Sequence, residues 1–168
     1  VSFLLVTAGP ILSAQTVTYD TIALTGDPAP GTAMGVIFGG FVDPRIDNEG
    51  QTAFLASLTG PGVTNLNGQG IFVEGGGTLS LIAREGDVAP DGGPGVIFRR
   101  LFSPTLNDSG QIAFRAFLTG TGVDSRNDEG IFSDSQDALH PVAREGDAVP
   151  GAGPGVMFSV LTALLNKS

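Results

Sequence analysis

Acidic residues recur in this sequence at a fixed interval. Asp27, Asp87 and Asp147 each follow a glycine, and Glu85 and Glu145 stand two positions before the second and third of them. Two carboxylates held close together can serve as acid and base in glycosidic cleavage. A catalytic pair, however, is built once in a fold, whereas these acids return at every repeat. An aspartate after Gly and ahead of a Pro-containing turn more simply accepts backbone N–H groups there. Arg84 and Arg144, beside the glutamates, are then expected to pair with neighbouring acids and tie adjacent turns together.

A second chemistry is cation binding. Asn65-Leu66-Asn67-Gly68, the run Asp124 to Glu129 and the pair Asp43 and Asp47 place oxygen ligands in loops, as calcium requires. Asp124, Asn127 and Asp128 are the metal candidates, although none of these loops has the twelve-residue EF-hand spacing. Asn and Asp also favour turns for conformational reasons alone. Cysteine is absent and His140 is the one histidine, which excludes thiol nucleophiles and the common zinc sets. No Gly-x-Ser-x-Gly elbow accompanies His140. Gly75-Gly76-Gly77 lacks the Lys-Ser/Thr and helix of a phosphate loop. Arg99-Arg100 is an isolated basic pair in a chain of net charge −9, so nucleic acid is not an expected partner.

The elements that position these residues follow from composition and period. Gly 26 and Pro 11 in 168 residues exclude a helical bundle, and 41% hydrophobic content allows a core. Gly26-Asp27-Pro28-Ala29-Pro30 returns as Gly86-Asp87-Val88-Ala89-Pro90 and as Gly146-Asp147-Ala148-Val149-Pro150. Asp47, Gly50, Ala53 and Phe54 align with Asn107, Gly110, Ala113 and Phe114 at the same offset. Within a unit, strands are expected near 36–42, 52–58, 70–74 and 79–83, with Phe54, Ala56 and Leu58 alternating onto one face. On the opposite face Leu55 and Ser57 become Arg115 and Phe117. Pro141 marks the fourth strand as an edge.

The expected fold is therefore all-β: tandem four-stranded antiparallel units of about sixty residues, laid out like β-propeller blades. Residues 1–14 form an uncharged apolar segment like a secretory signal. Residues 15–25 align with a fourth strand, 26–85 and 86–145 are the two full units, and 146–168 begin a third. Two units and two part-units do not close a ring, so the chain reads as a fragment or a truncated gene product.

The pattern Asn-x-x-Gly-x-x-Ala-Phe at Asn107, Gly110, Ala113 and Phe114 resembles the bacterial tandem-repeat proteins named for that signature, with Asp47 replacing Asn in the first copy. Ser103-Pro104 through Phe114 is also similar to the turn of TolB-type propeller repeats. The first resemblance implies an exported protein, extracellular, periplasmic or at the cell surface, with no established activity. The function expected is a binding or structural module with no catalytic residues and no cofactor. Its partner would be an extracellular ligand or surface component, without a membrane span, and uncovered faces would let copies self-associate. The alternatives are a secreted propeller hydrolase or lyase with its active site in missing blades, and a calcium-stabilised surface protein.

Overall fold

A computed structural model describes residues 19–135, 138–159 and 161–163. Four strands, β1 (Ile37–Ile46), β2 (Thr52–Thr59), β3 (Gln69–Gly75) and β4 (Thr78–Arg84), form an antiparallel meander, sheet 1. Sheet 2 contains β5 (Ile97–Leu101), β6 (Thr105–Leu106), β7 (Ile112–Thr119), β8 (Glu129–Ser133) and β9 (His140–Arg144). Its extra strand arises because Phe102-Ser103-Pro104 breaks the ladder between β5 and β6. In sheet 1 the equivalent Val42-Asp43-Pro44 is carried inside β1 as an irregularity, with Asp43 left-handed at φ 45°. The β3–β4 hairpin turns on Gly76 and Gly77, both at positive φ, which matches the twist of its strands.

A hydrogen-bonded arch precedes each sheet. In the first, Gly26 N–H donates to Phe38 O at 2.8 Å, Phe38 N–H to Asp27 O and Ala29 N–H to Val36 O, each at 3.0 Å. The same three bonds recur from Gly86, Phe98 and Ala89, and again from Gly146, Phe158 and Val149. Gly60 and Gly120 lie so close to Gly35 O and Gly95 O that no β-carbon fits there.

The first two arches each deliver a phenylalanine to a triad on the front face of the sheet that follows. Phe54 and Phe72 stack at 5.9 Å, and Phe38 meets Phe72 edge-on at 4.9 Å. In sheet 2, Phe114 and Phe132 stack at 5.8 Å, and Phe98 meets Phe132 at 4.9 Å. All six rings are buried.

The sheets lie one upon the other. The rear of sheet 1, with Ala53, Leu55, Ile71 and Ala83, packs on the front of sheet 2 in one core with Phe98, Phe114 and Phe132. The front of sheet 1 is covered by its own arch and by Ile22 and Ala23. Residues 19–25 do this without entering a ladder. The central strand β2 of sheet 1 is thus buried on both faces, which is why it is apolar on both. It also explains the change between repeats: Leu55 is buried between the sheets, whereas Arg115 and Phe117 occupy the outer rear face of sheet 2.

The propeller-like expectation is corrected by this arrangement. Sheet 1 is bounded by β1 and β4 and sheet 2 by β5 and β9, so two antiparallel sheets form a pile and neither closes into a ring. Strand count and period specify that the sheets stack; they do not specify that the stack curves shut. The four-strand expectation holds for sheet 1, while sheet 2 has five. The signal-like segment 1–14 lies outside the described residues.

Two substitutions test the pile. Phe114→Ala should cost about 3–5 kcal/mol in denaturant unfolding. Leu55→Arg should destabilise by more than about 3 kcal/mol because it buries an unpaired charge, while Arg115→Leu should change stability far less.

Candidate functional site at the sheet junctions

The recurrent Ala-Arg-Glu-Gly-Asp segment joins one sheet to the next. Arg84 Nε–H donates to Asn67 O at 2.8 Å, and Arg144 Nε–H donates to Asn127 O at 2.7 Å. The expected ion pairs of these arginines with acids do not form among the described residues: a half-buried loop carbonyl receives each guanidinium instead. Glu85 is buried near the backbone of Gly68 and Gln69 of the first repeat and Leu101 of the second. Burial pushes its pKa above the ordinary 4.5, and the nearby backbone N–H groups with the Arg100 charge oppose the shift. Asp27 and Asp87 accept the N–H of Leu24 and Arg84 at 2.9 and 3.0 Å. Burial raises the pKa of Asp87, against its bond to Arg84 and that side chain's charge. Asp147 occupies the same turn, with its N–H on Arg144 O.

The turn entering β2 and β7 is built alike in both repeats. Asp47 Oδ1 accepts Glu49 N–H and Gln51 N–H, and Gln51 Nε2 donates to Asp47 Oδ2 at 2.9 Å. Asn107 Oδ1 accepts Ser109 N–H and Gln111 N–H, and its Nδ2 donates to Gln111 Oε1, also at 2.9 Å. The Asp-for-Asn exchange is absorbed by rotating the glutamine amide. Gly50 and Gly110 complete the turn at positive φ, and Ala53 and Phe54, with Ala113 and Phe114, lead into the strands. Equivalent positions then bond across the junction: Asn48 Nδ2 donates to Asp108 Oδ2 at 2.7 Å, and Ser103 Oγ donates to Asp43 Oδ2 at 2.8 Å.

The calcium candidates are engaged within their loop. Asn127 Oδ1 accepts Asp124 N–H, Asp124 Oδ1 accepts Arg126 N–H, and Asp128 faces Arg99 at 3.5 Å. Asn67 repeats the first bond with Thr64 N–H. Among the described residues no three of His, Cys, Asp and Glu gather as a metal site. His140 lies on the edge strand β9, its Nδ1 3.0 Å from Ala138 O.

Open clefts follow the same period. One of about 490 Å³ is lined by Ile22, Gly50, Gln51, Glu74 and Leu79. Another of about 470 Å³ is lined by Ile82, Gly110, Gln111, Asp134 and Leu139, each sixty residues further on. Asp20 and Glu49 also border the first cleft, and Ser109 takes the place of Glu49 in the second. Asp134 Oδ1 accepts Ile112 N–H at 2.7 Å; burial raises its pKa, against that bond and the His140 charge. Such clefts offer an amide, a carboxylate and an aliphatic wall, a set suited to holding a polar ligand. They were missed in the sequence because Ile22 and Gln51, or Ile82 and Gln111, come together only when sheets stack.

A family model matches residues 5–168, spanning all three arches and both sheets. The chain belongs to DUF7453, a family of unknown function. No curated protein and no solved structure matches the DUF7453 chain. This membership replaces the resemblance to the NxxGxxAF tandem-repeat proteins. Among the described residues of this DUF7453 chain, no helix is long and apolar enough to cross a membrane.

The three raised carboxyls set a pH dependence. Glu85, Asp87 and Asp134 bind a proton more tightly folded than unfolded, so each lowers stability as pH rises from its ordinary value of 4.5 or 3.8 through its raised one. The melting temperature should increase as pH falls from neutral toward that window, and Glu85→Gln should flatten the increase.

Proposed function

We propose that the chain is a non-catalytic binding module in which one extended ligand lies along the row of equivalent clefts and is held once per repeat. The observation that carries this reading is the pair of clefts lined by residues sixty apart. Stacked sheets lie about 10 Å apart, so the clefts suit a linear polymer whose own repeat approaches that spacing. The acids singled out as an acid–base pair support binding over turnover, since Asp27 and Asp87 already accept backbone N–H groups and Glu85 is buried. Apolar groups left uncovered on the third arch, Val156 and Met157, favour association of copies as a second property. A monomer at every concentration in sedimentation would count against that second property.

A panel of linear oligosaccharides and peptides of graded length tests the main reading. Affinity should rise by about 10²-fold once a ligand spans both clefts. Glu49→Lys and Ser109→Lys, at equivalent exposed positions, should each weaken binding, and together should remove the length dependence. Binding that ignores both substitutions, or turnover of any panel member, would overturn the reading in favour of another site or of a hydrolase.

A further inference from the structure

The rear face of sheet 2 gathers three of the chain's eight basic residues onto two aromatic rings. Arg115 lies 3.9 Å from the centre of Phe102 and 5.7 Å from that of Phe117. Arg99 sits over Phe117 at 5.2 Å and Arg100 over Phe102 at 5.1 Å, and the two rings meet at 5.4 Å. Three carboxylates adjoin the face: Glu129 bonds Arg115 at 3.2 Å, Asp128 reaches Arg99 at 3.5 Å, and Glu85 borders the cleft at Arg99 and Arg100. Arg100 has no ion pair among the described residues, and the Arg99 side chain is 52% exposed.

The repeat supplies an internal control. At the positions equivalent to Arg99, Arg100 and Arg115, sheet 1 has Gly39, Gly40 and Leu55, in the same antiparallel register and with the same bulge. The fold therefore forms without these arginines. Their concentration on one face of a chain of net charge −9 runs against its overall composition. A guanidinium laid on a ring has its plane fixed, and Arg100, without an ion pair among the described residues, keeps an N–H edge for the two parallel bonds that grip an oxyanion. Clefts of about 500 and 400 Å³ are bordered by Arg99 and Arg100 and by Phe102 and Arg115 respectively, leaving room for the remainder of a ligand.

We infer that this arginine–phenylalanine face is a binding site for an oxyanion group, a carboxylate, sulfate or phosphate carried by a ligand. It is separate from the row of clefts proposed above and stands whether or not those clefts bind a polymer.

Titration of the 168-residue chain with sodium sulfate, sodium phosphate and sodium acetate, followed by arginine side-chain and backbone amide NMR, tests the inference. Saturable shifts should be confined to Arg99, Arg100, Arg115 and their neighbours. Arg99→Gln with Arg100→Gln should weaken binding about tenfold or more, the scale of a lost charge-assisted bond, with the amide spectrum elsewhere unchanged. Arg126→Gln, removing an exposed arginine in another loop, should have no effect. Tighter binding of acetate identifies a carboxylate ligand, and tighter binding of sulfate or phosphate an ester; either supports the site. Non-saturable shifts, shifts of equal size at Arg126, or affinity unaltered in the double variant would overturn it.

Discussion

The architecture depends on one contact made twice: a phenylalanine from the arch closing edge-on against a stacked pair contributed by the two central strands. Phe38 does this to Phe72, and Phe98 to Phe132, at the same 4.9 Å. The contact fixes the arch to its sheet, and the arch in turn fixes the Gly-Asp turn from which the junction bonds are made. Rings packed in this way gain about 0.5–1.5 kcal/mol each beyond their buried area. Of equal importance is their geometry, which sets where each sheet begins relative to the one before.

From that fixed start, polar groups at equivalent positions come within reach of one another. Asn48 and Asp108, and Asp43 and Ser103, are sixty residues apart and hydrogen-bonded. The junction arginines Arg84 and Arg144 each tie the end of a repeat to a loop carbonyl of that same repeat. Among the described residues no buried side-chain nitrogen or oxygen lacks a partner. A pile built so completely from local bonds leaves its ligand-binding capacity to the positions at which the repeats differ or gape.

Much of this was legible in the sequence. The offset of sixty located eight of the nine strands within a few residues, and Phe54-x-Ala56-x-Leu58 identified the inward face. The short β6 escaped because a two-residue strand carries no periodic signal. Closure was misread because a repeat length describes one layer and the curvature of a stack depends on side chains that differ between layers, such as Leu55 and Arg115. The paired glutamine amides were missed for a related reason. Gln51 and Gln111 look like ordinary turn residues until the neighbouring repeat supplies the opposite wall. The arginine–phenylalanine face was visible as a substitution pattern, yet only strand pairing brings Arg99, Phe102 and Phe117 onto one surface.

The third arch has a consequence for how the chain reaches its native state. Its three backbone bonds match those of the first two, yet Val156 is 47% exposed where Val36 and Val96 are nearly inaccessible. The arch thus makes the same three bonds where its valine is half exposed as where it is inaccessible. Its bonds join residues at most twelve apart, a separation that chains close within about 10–100 ns. Folding of each layer can therefore begin from a preformed loop that carries its phenylalanine, with the slower cross-strand pairing of β2, β3 and β4 condensing on that seed. The arches are thus the local part of a fold whose strand pairings are mostly long-range, and the ladders follow them, layer upon layer.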